Sequence, residues 1–380
     1  MKITINVNKL NELIDIAGRF IAKNATLPIL QNIYIKASID TLIIRATDME
    51  KYIEIETPCI VGSEGSITVN GKTISDIIRN IEEKEVEITT DQTNNMILIK
   101  TVKDSFDING IPASEYVALP EIPQENKVSM DIHTFIKGIE KSEYAVTDKN
   151  FSPVLTGVLL KYNQEQPDTL TFVGTDSFRL AEYKAPSSKN NKDFSLIIPK
   201  ATIGDVQKIA EYASNNSAQE LQVQYSENLI SFQCTTEDTR LLATSLLIQG
   251  NFPDYAREEI MPSKFQTTIV VDKNQCDKAI RKIGILTRDI NNFIQIETED
   301  NHIIISSGKT DKGAGKTSIP GIITGAGVSF GINGKYITDF IKMIEEEEII
   351  FNIVDNHKPL ILTDKTNQNY RYVVRPLVNN

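Results

Sequence analysis

Apolar residues recur at helical spacing in two closely similar stretches, Asn70 to Ile81 (NGKTISDIIRNI) and Asn333 to Ile344 (NGKYITDFIKMI), which share seven of twelve positions. Ile74, Ile77, Ile78 and Ile81 form one stripe, and Ile337, Phe340, Ile341 and Ile344 the other, so each stretch predicts a short helix with one buried face. The opposite face carries Lys72, Asp76 and Arg79 in one copy and Lys335, Asp339 and Lys342 in the other. Each copy follows a short alternating run, SITV or SFGI, that predicts a strand. A weaker third copy, FSLIIPKATIGDVQKI from Phe194 to Ile209, sets Pro199 before Lys200 at a helix start, where its fixed φ is preorganised. The chain therefore reads as a triplication.

Strand-to-helix text also opens each third. KITINVNKLNELIDIAGRF buries Leu10, Leu13, Ile14 and Ala17, while KVSMDIHTFIKGIEKSEY begins at Lys127 and TTIVVDKNQCDKAIRKIGIL at Thr267. Six helices follow, over residues 8–23, 71–81, 133–146, 199–212, 273–288 and 334–344. Between and after them lie short runs rich in β-branched and aromatic residues, such as NIYIKAS, TLTFVGT, HIIISS and YRYVVRPL, whose turn-bounded spacing predicts antiparallel meanders. Strand-helix-strands-strand-helix-strands, three times over, is an α+β arrangement. It predicts domains at 1–122, 127–250 and 264–380, with connectors at 111–126 and 251–263. The connectors are Pro-rich and extended, yet Val117, Leu119, Ile122, Phe252, Tyr255 and Ile260 give them apolar surface to pack along a domain.

Composition constrains the setting. A chain of 380 residues suits two or three domains. Cys59, Cys234 and Cys276 are odd in number and far apart, which argues against a disulfide framework and for a reducing cytoplasm. MKITINVNKL alternates like a strand and lacks the continuous apolar core of an export signal. No run approaches the roughly 18 apolar residues of a membrane span. The net charge of −11 disfavours nucleic acid as a partner until its distribution is counted: the six predicted helices carry +7 and the remainder −18.

Candidate catalytic chemistry is absent from the pattern. GKTDKGAGKT, Gly308 to Thr317, ends like a phosphate-binding loop, but the Gly needed five positions before Gly315-Lys316 is Thr310, and no helix follows to receive a phosphate. A hairpin turn is the better reading, which disfavours a nucleotide-dependent phosphotransferase. His133, His302 and His357 sit apart without carboxylate or Cys partners at ligand spacing, so no metal site is expected. No nucleophile elbow occurs. No cofactor is implied. What the repeats do offer is Lys72, Lys200 and Lys335 at matching helix positions, the recurrent point charges of a surface that tracks phosphates without reading bases.

Six stretches, in family order, carry a resemblance over the whole chain. They are TLPIL with Asn32, ATDME (Ala46 to Glu50), GTDSFRLA (Gly174 to Ala181), Ile198 to Lys200, GNFPDY (Gly250 to Tyr255), and Tyr372-Val373-Val374 before Arg375-Pro376-Leu377. Together they resemble the bacterial replicative sliding clamp, the DNA polymerase III beta-subunit family. The resemblance implies three domains of the DNA-clamp type, each with two inner helices on outer antiparallel sheets. It further implies a cytoplasmic, non-catalytic processivity factor: a head-to-tail homodimer closed into a ring around duplex DNA and loaded by a separate ATP-driven clamp loader. Its partners would be the replicative polymerase, other polymerases and repair proteins. They would bind through short peptides in a pocket formed by Leu155, Thr175, Phe178, Arg179, Leu180, Pro253, Arg257, Ile260, Asn333, Tyr336, Val373, Arg375, Pro376 and Leu377. The subunit interface would bring Phe106 and Ile108 against Ile285 and Leu286. By position and charge, the DNA-facing residues would be Lys23, Lys72, Arg79, Lys137, Lys141, Lys200, Lys208, Lys278, Arg281, Lys282, Lys335 and Lys342. Phe178 stands where relatives often carry His, Arg375 where an apolar residue is usual, and Val378 to Asn380 extend the tail. These departures, and an inserted residue around Arg257 to Ile260, bear on peptide preference rather than on the pocket's place.

Overall fold

The computed structural model describes residues 1–377 except 25, 92, 123–125, 150–151, 188–189, 191 and 367–368. The tail extension Val378 to Asn380 and the connector residues Pro123 to Glu125 lie outside the described residues.

The first repeat runs β1 (Lys2–Asn6), α1 (Val7–Ala17), β2 (Asn32–Ser38), β3 (Thr41–Thr47), β4 (Lys51–Pro58), β5 (Ile60–Ser63), β6 (Gly65–Asn70), α2 (Gly71–Arg79), β7 (Glu85–Asp91), β8 (Met96–Lys100) and β9 (Ser105–Ile111). The second runs β10 (Asn126–Asp131), α3 (Ile132–Glu143), β11 (Gly157–Tyr162), β12 (Thr169–Thr175), β13 (Arg179–Pro186), β14 (Phe194–Pro199), α4 (Lys200–Asn215), β15 (Glu220–Tyr225), β16 (Leu229–Thr235) and β17 (Arg240–Leu246). The third runs β18 (Thr267–Asp272), α5 (Lys273–Thr287), β19 (Phe293–Glu299), β20 (His302–Ser306), β21 (Lys316–Pro320), β22 (Ile322–Gly325), β23 (Ser329–Asn333), α6 (Gly334–Met343), β24 (Glu348–Ile353), β25 (Leu360–Asp364) and β26 (Tyr370–Val374).

Local chemistry explains why strand turns directly into helix. Asn6, Asn70, Asp272 and Asn333 end strands and cap the next helix, each side-chain oxygen accepting from a backbone N–H two or three residues on. Asp131 does the same for Thr134 N–H at 2.7 Å, and Pro199 starts α4 with its fixed φ. Helix ends differ from the sequence reading. The first stops at Ala17, where the Gly18 N–H closes on the Ile14 carbonyl at 2.8 Å, so Arg19 and Lys23 lie beyond it. On the observed bounds the six helices together carry +4 rather than +7.

The chain divides into two compact units, one of residues 1–136 and 198–248, the other of 137–197 and 249–380. Within the first, thirteen strands form one sheet in the order β10-β15-β16-β17-β4-β3-β2-β6-β9-β8-β7-β1-β5. Within the second, nine strands run β14-β11-β12-β13-β26-β25-β24-β18-β22, and four more run β21-β20-β19-β23. The described neighbours pair antiparallel, and each core is the apolar face that a sheet shares with its helices. Leu10, Leu13 and Ile14 of α1, Ile74 and Ile78 of α2, and Ile337 and Phe340 of α6 are fully buried. In the connectors Tyr255 is buried, Val117, Leu119, Ile122, Phe252 and Ile260 are half-buried, and the Tyr116 and Tyr34 ring centroids lie 5.4 Å apart. All three cysteines are free thiols.

Candidate functional site

Thr175 and Asp176 make a tight turn in which one backbone bond, from the Asp176 N–H to the Arg179 carbonyl at 3.3 Å, is joined by several through their side chains. Thr175 Oγ1 donates to the Arg179 carbonyl at 2.7 Å, and Asp176 Oδ1 accepts from the N–H groups of Phe178 and Arg179 at 3.0 Å each. Ser177 takes a φ of 76°, a left-handed conformation these bonds hold in place. Thr47 and Asp48 repeat the arrangement in the first repeat, with Met49 at a φ of 78°. Gly174 is required beside the turn because a Cβ there would fall 2.0 Å from the Ser142 carbonyl oxygen.

The turn aims Arg179 inward. Its guanidinium bonds Asp176 Oδ2 and Asp339 Oδ2, both at 2.9 Å, donates to the Tyr144 carbonyl at 2.8 Å, and lies 4.7 Å from the Tyr336 ring centroid. Burial works against the charge, but Tyr372, Asp176 and Asp339 outweigh it and raise the Arg179 pKa above its ordinary value.

Beside this group opens a cleft of about 410 Å³. Of the predicted pocket residues, Leu155, Thr175, Phe178, Arg179, Leu180, Pro253, Ile260, Val373 and Arg375 line it. Phe178 is 54% exposed, a large ring held at the mouth. The other five do not line it. Arg257 pairs outward with Asp254 at 2.9 Å, Asn333 is spent capping α6, and Tyr336 lies beneath Arg179. The Leu377 N–H bonds the Gly331 carbonyl at 2.8 Å, and Pro376 is buried beside it. Ser177, Phe252, Tyr255, Glu259 and the turn His357-Lys358-Pro359 complete the wall. The β25–β26 and β26–β13 pairings together carry that turn to the site, and no local pattern announces it. The cleft thus offers aliphatic and aromatic walls with a few polar groups, which suits a short apolar segment with a polar backbone.

The predicted basic residues divide by burial. Lys23, Lys72, Lys208, Lys278, Arg281, Lys282, Lys335 and Lys342 are exposed, as is Arg79, while Lys137 and Lys200 are half-buried. Arg79 contacts Asp15 at 2.9 Å, Lys137 contacts Glu345 at 3.2 Å, and Arg281 contacts Asp277 at 2.6 Å. Lys141 departs from the expectation: it is 6% exposed, with its amine 5.2 Å from the Tyr370 ring centroid, and burial lowers its pKa. Helical spacing put it on the polar face, but β26 covers that position. Of the predicted interface residues, Phe106 and Ile285 are exposed, Leu286 is half-buried and Ile108 is buried. Gly308 to Thr317 lies in the β20–β21 hairpin, as its sequence suggested, with Gly308 at a φ of 65°. Among the described residues no metal-ligating cluster occurs, and no helix is long and apolar enough to cross a membrane.

With the geometry in view, comparisons cover the whole chain. It matches the family descriptions "DNA polymerase III beta subunit, N-terminal domain" over residues 1–120, "central domain" over 129–254 and "C-terminal domain" over 258–378. The Beta sliding clamp of Synechococcus elongatus is 23% identical over 99% of this chain and 99% of that protein. That of Staphylococcus epidermidis is 26% identical over 98% and 96%. Among solved structures, the DNA polymerase sliding clamp from Bacillus subtilis superposes with a TM-score of 0.91 at 25% identity, covering 100% of both chains. The sliding clamp from Pseudomonas aeruginosa bound to griselimycin gives 0.89 at 22% identity, also covering 100% of both.

Proposed function

This chain belongs to the bacterial DNA polymerase III beta-subunit family, and from that premise we propose that it works as a homodimeric ring that encircles duplex DNA. It is a DNA polymerase sliding clamp, a processivity factor without catalysis of its own. The mechanism is topological: a closed ring tethers a polymerase while leaving it free along the duplex.

One observation carries the ring reading. The last strand of the second repeat, β17, pairs with β4 of the first, and the last strand of the third, β26, pairs with β13 of the second. By the same rule β21 of the third repeat should receive a last strand, and β9 of the first should dock on such an edge. Among the described residues β21 pairs only with β20, and residues 105–109 of β9 pair only with β8. Two copies joined head to tail satisfy both edges and close, the behaviour of a heterologous contact whose rotation completes a circle. Light scattering across a dilution series tests this. A mass near twice 42.5 kDa is expected, and a strict monomer at micromolar concentration would overturn the ring.

Inside such a ring the exposed Lys72, Lys278, Lys282, Lys335 and their neighbours supply sequence-blind attraction to phosphates, and the acidic remainder discourages DNA elsewhere. The cleft at Leu155, Leu180 and Val373 takes short apolar peptide segments of the polymerase, the clamp loader and repair proteins, and griselimycin is its available probe. Domain boundaries at 1–122, 127–250 and 264–380 and a cytoplasmic location belong to the same reading.

A further inference from the structure

Three strand ends meet at the mouth of the cleft, and the equivalent ends at the preceding junction carry the opposite charge. β13 pairs Arg179 with Val374, and β25 pairs Leu360 with Val374. One step further out along each strand, Phe178, Arg375 and Pro359 are therefore neighbours, with Lys358 and His357 in the turn behind Pro359. The Arg375 N–H donates to the Phe178 carbonyl at 2.9 Å, which fixes the row.

The junction of the first and second repeats has the same row. β4 pairs Lys51 with Ser245, and β16 pairs Ile230 with Ser245. Counted from the matching Thr-Asp turns, Glu50, Leu246 and Leu229 take the places of Phe178, Arg375 and Pro359, while Asn228 and Glu227 take those of Lys358 and His357. The backbone bond is the same too: the Leu246 N–H donates to the Glu50 carbonyl at 2.9 Å. What differs is charge. Glu50 and Glu227 give the first row −2, whereas Arg375 and Lys358 give the second +2 with His357 neutral. Since one backbone geometry accommodates either set, the fold does not require the cations.

Their surroundings leave them available. Arg375 and Lys358 are exposed, and among the described residues no carboxylate pairs with the Arg375 guanidinium. Lys358 reaches only Asp355, at 3.9 Å, whose other oxygen accepts from the N–H groups of His357 and Lys358 at 2.8 and 2.9 Å. Glu259 is the one acid among the residues lining the cleft, and its field acts on Arg257. Arg179, the remaining cation, is spent on Asp176 and Asp339. A chain of net charge −11 thus holds positive charge that it does not neutralise at the lip of an apolar cleft.

We propose that Arg375 and Lys358 select partner segments in which an acidic side chain flanks the apolar anchor, the anchor entering between Leu155, Leu180 and Val373. The inference rests on the peptide-cleft reading and states which peptides the cleft prefers. A fully exposed ion pair contributes little, but a guanidinium at the rim of an apolar contact meets a carboxylate with water partly displaced, and such charges act mainly on the choice of partner. Phe178, 54% exposed and next to Arg375 in the row, offers the same segment an apolar face.

Calorimetry on the full chain tests this with acetylated and amidated peptides that carry a central Leu-Leu-Phe among alanines, with one Asp or one Asn walked through the flanking positions. At low salt the best Asp peptide should bind about tenfold tighter than its Asn counterpart, the size of one charge-assisted hydrogen bond, and the ratio should fall as salt rises. Arg375→Leu with Lys358→Asn, the residues of the first row, should bring the ratio near one. Arg375→Glu should invert it in favour of Lys at the same position. Equal binding of Asp and Asn peptides at every position would overturn the preference, and a ratio unchanged in these variants would overturn its assignment to the two cations. A peptide without Asp whose free C-terminal carboxylate gives equally tight binding would overturn the side chain in favour of a chain end. Griselimycin controls for the cleft itself: if it binds and no peptide does, the inference falls while the cleft reading stands, and if neither binds, both fall.

Discussion

Arg179 Nη1 lies 2.9 Å from Asp339 Oδ2, joining the start of β13 to α6, and Lys51 makes the matching contact with Asp205 between β4 and α4. Each cation also lies over an aromatic ring of its own repeat: Arg179 is 5.6 Å from the Tyr144 centroid and Lys51 is 5.3 Å from that of Phe20. The same device, a cation following the Thr-Asp turn and an acid on the next repeat's helix, holds two successive repeats together.

Because both partners are largely buried, Arg179→Ala should destabilise the chain by about 3–5 kcal/mol, the cost of stranding a buried acid. Urea unfolding measures it. A loss below about 1 kcal/mol would place the pair among exposed ion pairs, contrary to its position under the cleft.

Lys141 predicts a pH dependence. Burial lowers its pKa in the folded chain, so below that pKa the unfolded chain holds the extra proton more favourably and folding is penalised. The penalty fades as pH rises toward the ordinary lysine value. Lys141→Met should therefore raise Tm at pH 7 by about 1 °C, the shift that roughly 1 kcal/mol makes in a chain of this size. Its advantage over the native chain should shrink steadily to pH 10. A constant advantage would mean that the charge is not the cause.

Cleft variants should separate binding from assembly. Leu155→Ala or Val373→Ala should weaken griselimycin binding on the order of tenfold, about 1.4 kcal/mol, as read by calorimetry, with the solution mass unchanged. His357→Ala should do so more weakly, since its ring is exposed at the rim. Unaltered affinity in all three would move the binding site elsewhere.

For DNA, Lys72→Glu together with Lys335→Glu should shorten retention on nicked circular duplex. The pair should also reduce the slope of log affinity against log salt by about one per lost phosphate contact. Lys141→Glu would report on folding instead, so Lys141→Met, judged against these two, should leave the slope unchanged.

What the sequence determined by itself is local and periodic. The triplication, the buried helix stripes and the helix start at Pro199 rest on patterns among residues within a few positions of one another, and all are legible as spacing. Most of the cleft's near wall was indicated by the family resemblance, which the continuous stretch Thr175 to Leu180 helps to carry, and not by spacing. Tertiary structure decided what depends on distant strands. Pairing of β13 with β26 delivers His357 to Pro359 to the cleft and puts Tyr370 over Lys141, where helical spacing alone predicted a solvent-facing cation. It also decided which edges are left open: β21 and residues 105–109 of β9 read like every other strand segment, and only the pairings among the described residues show that each has a neighbour on one side alone. A strand's sequence encodes its faces through alternation, but its edges are backbone, alike for every residue, so their partners appear only once the whole sheet is assembled.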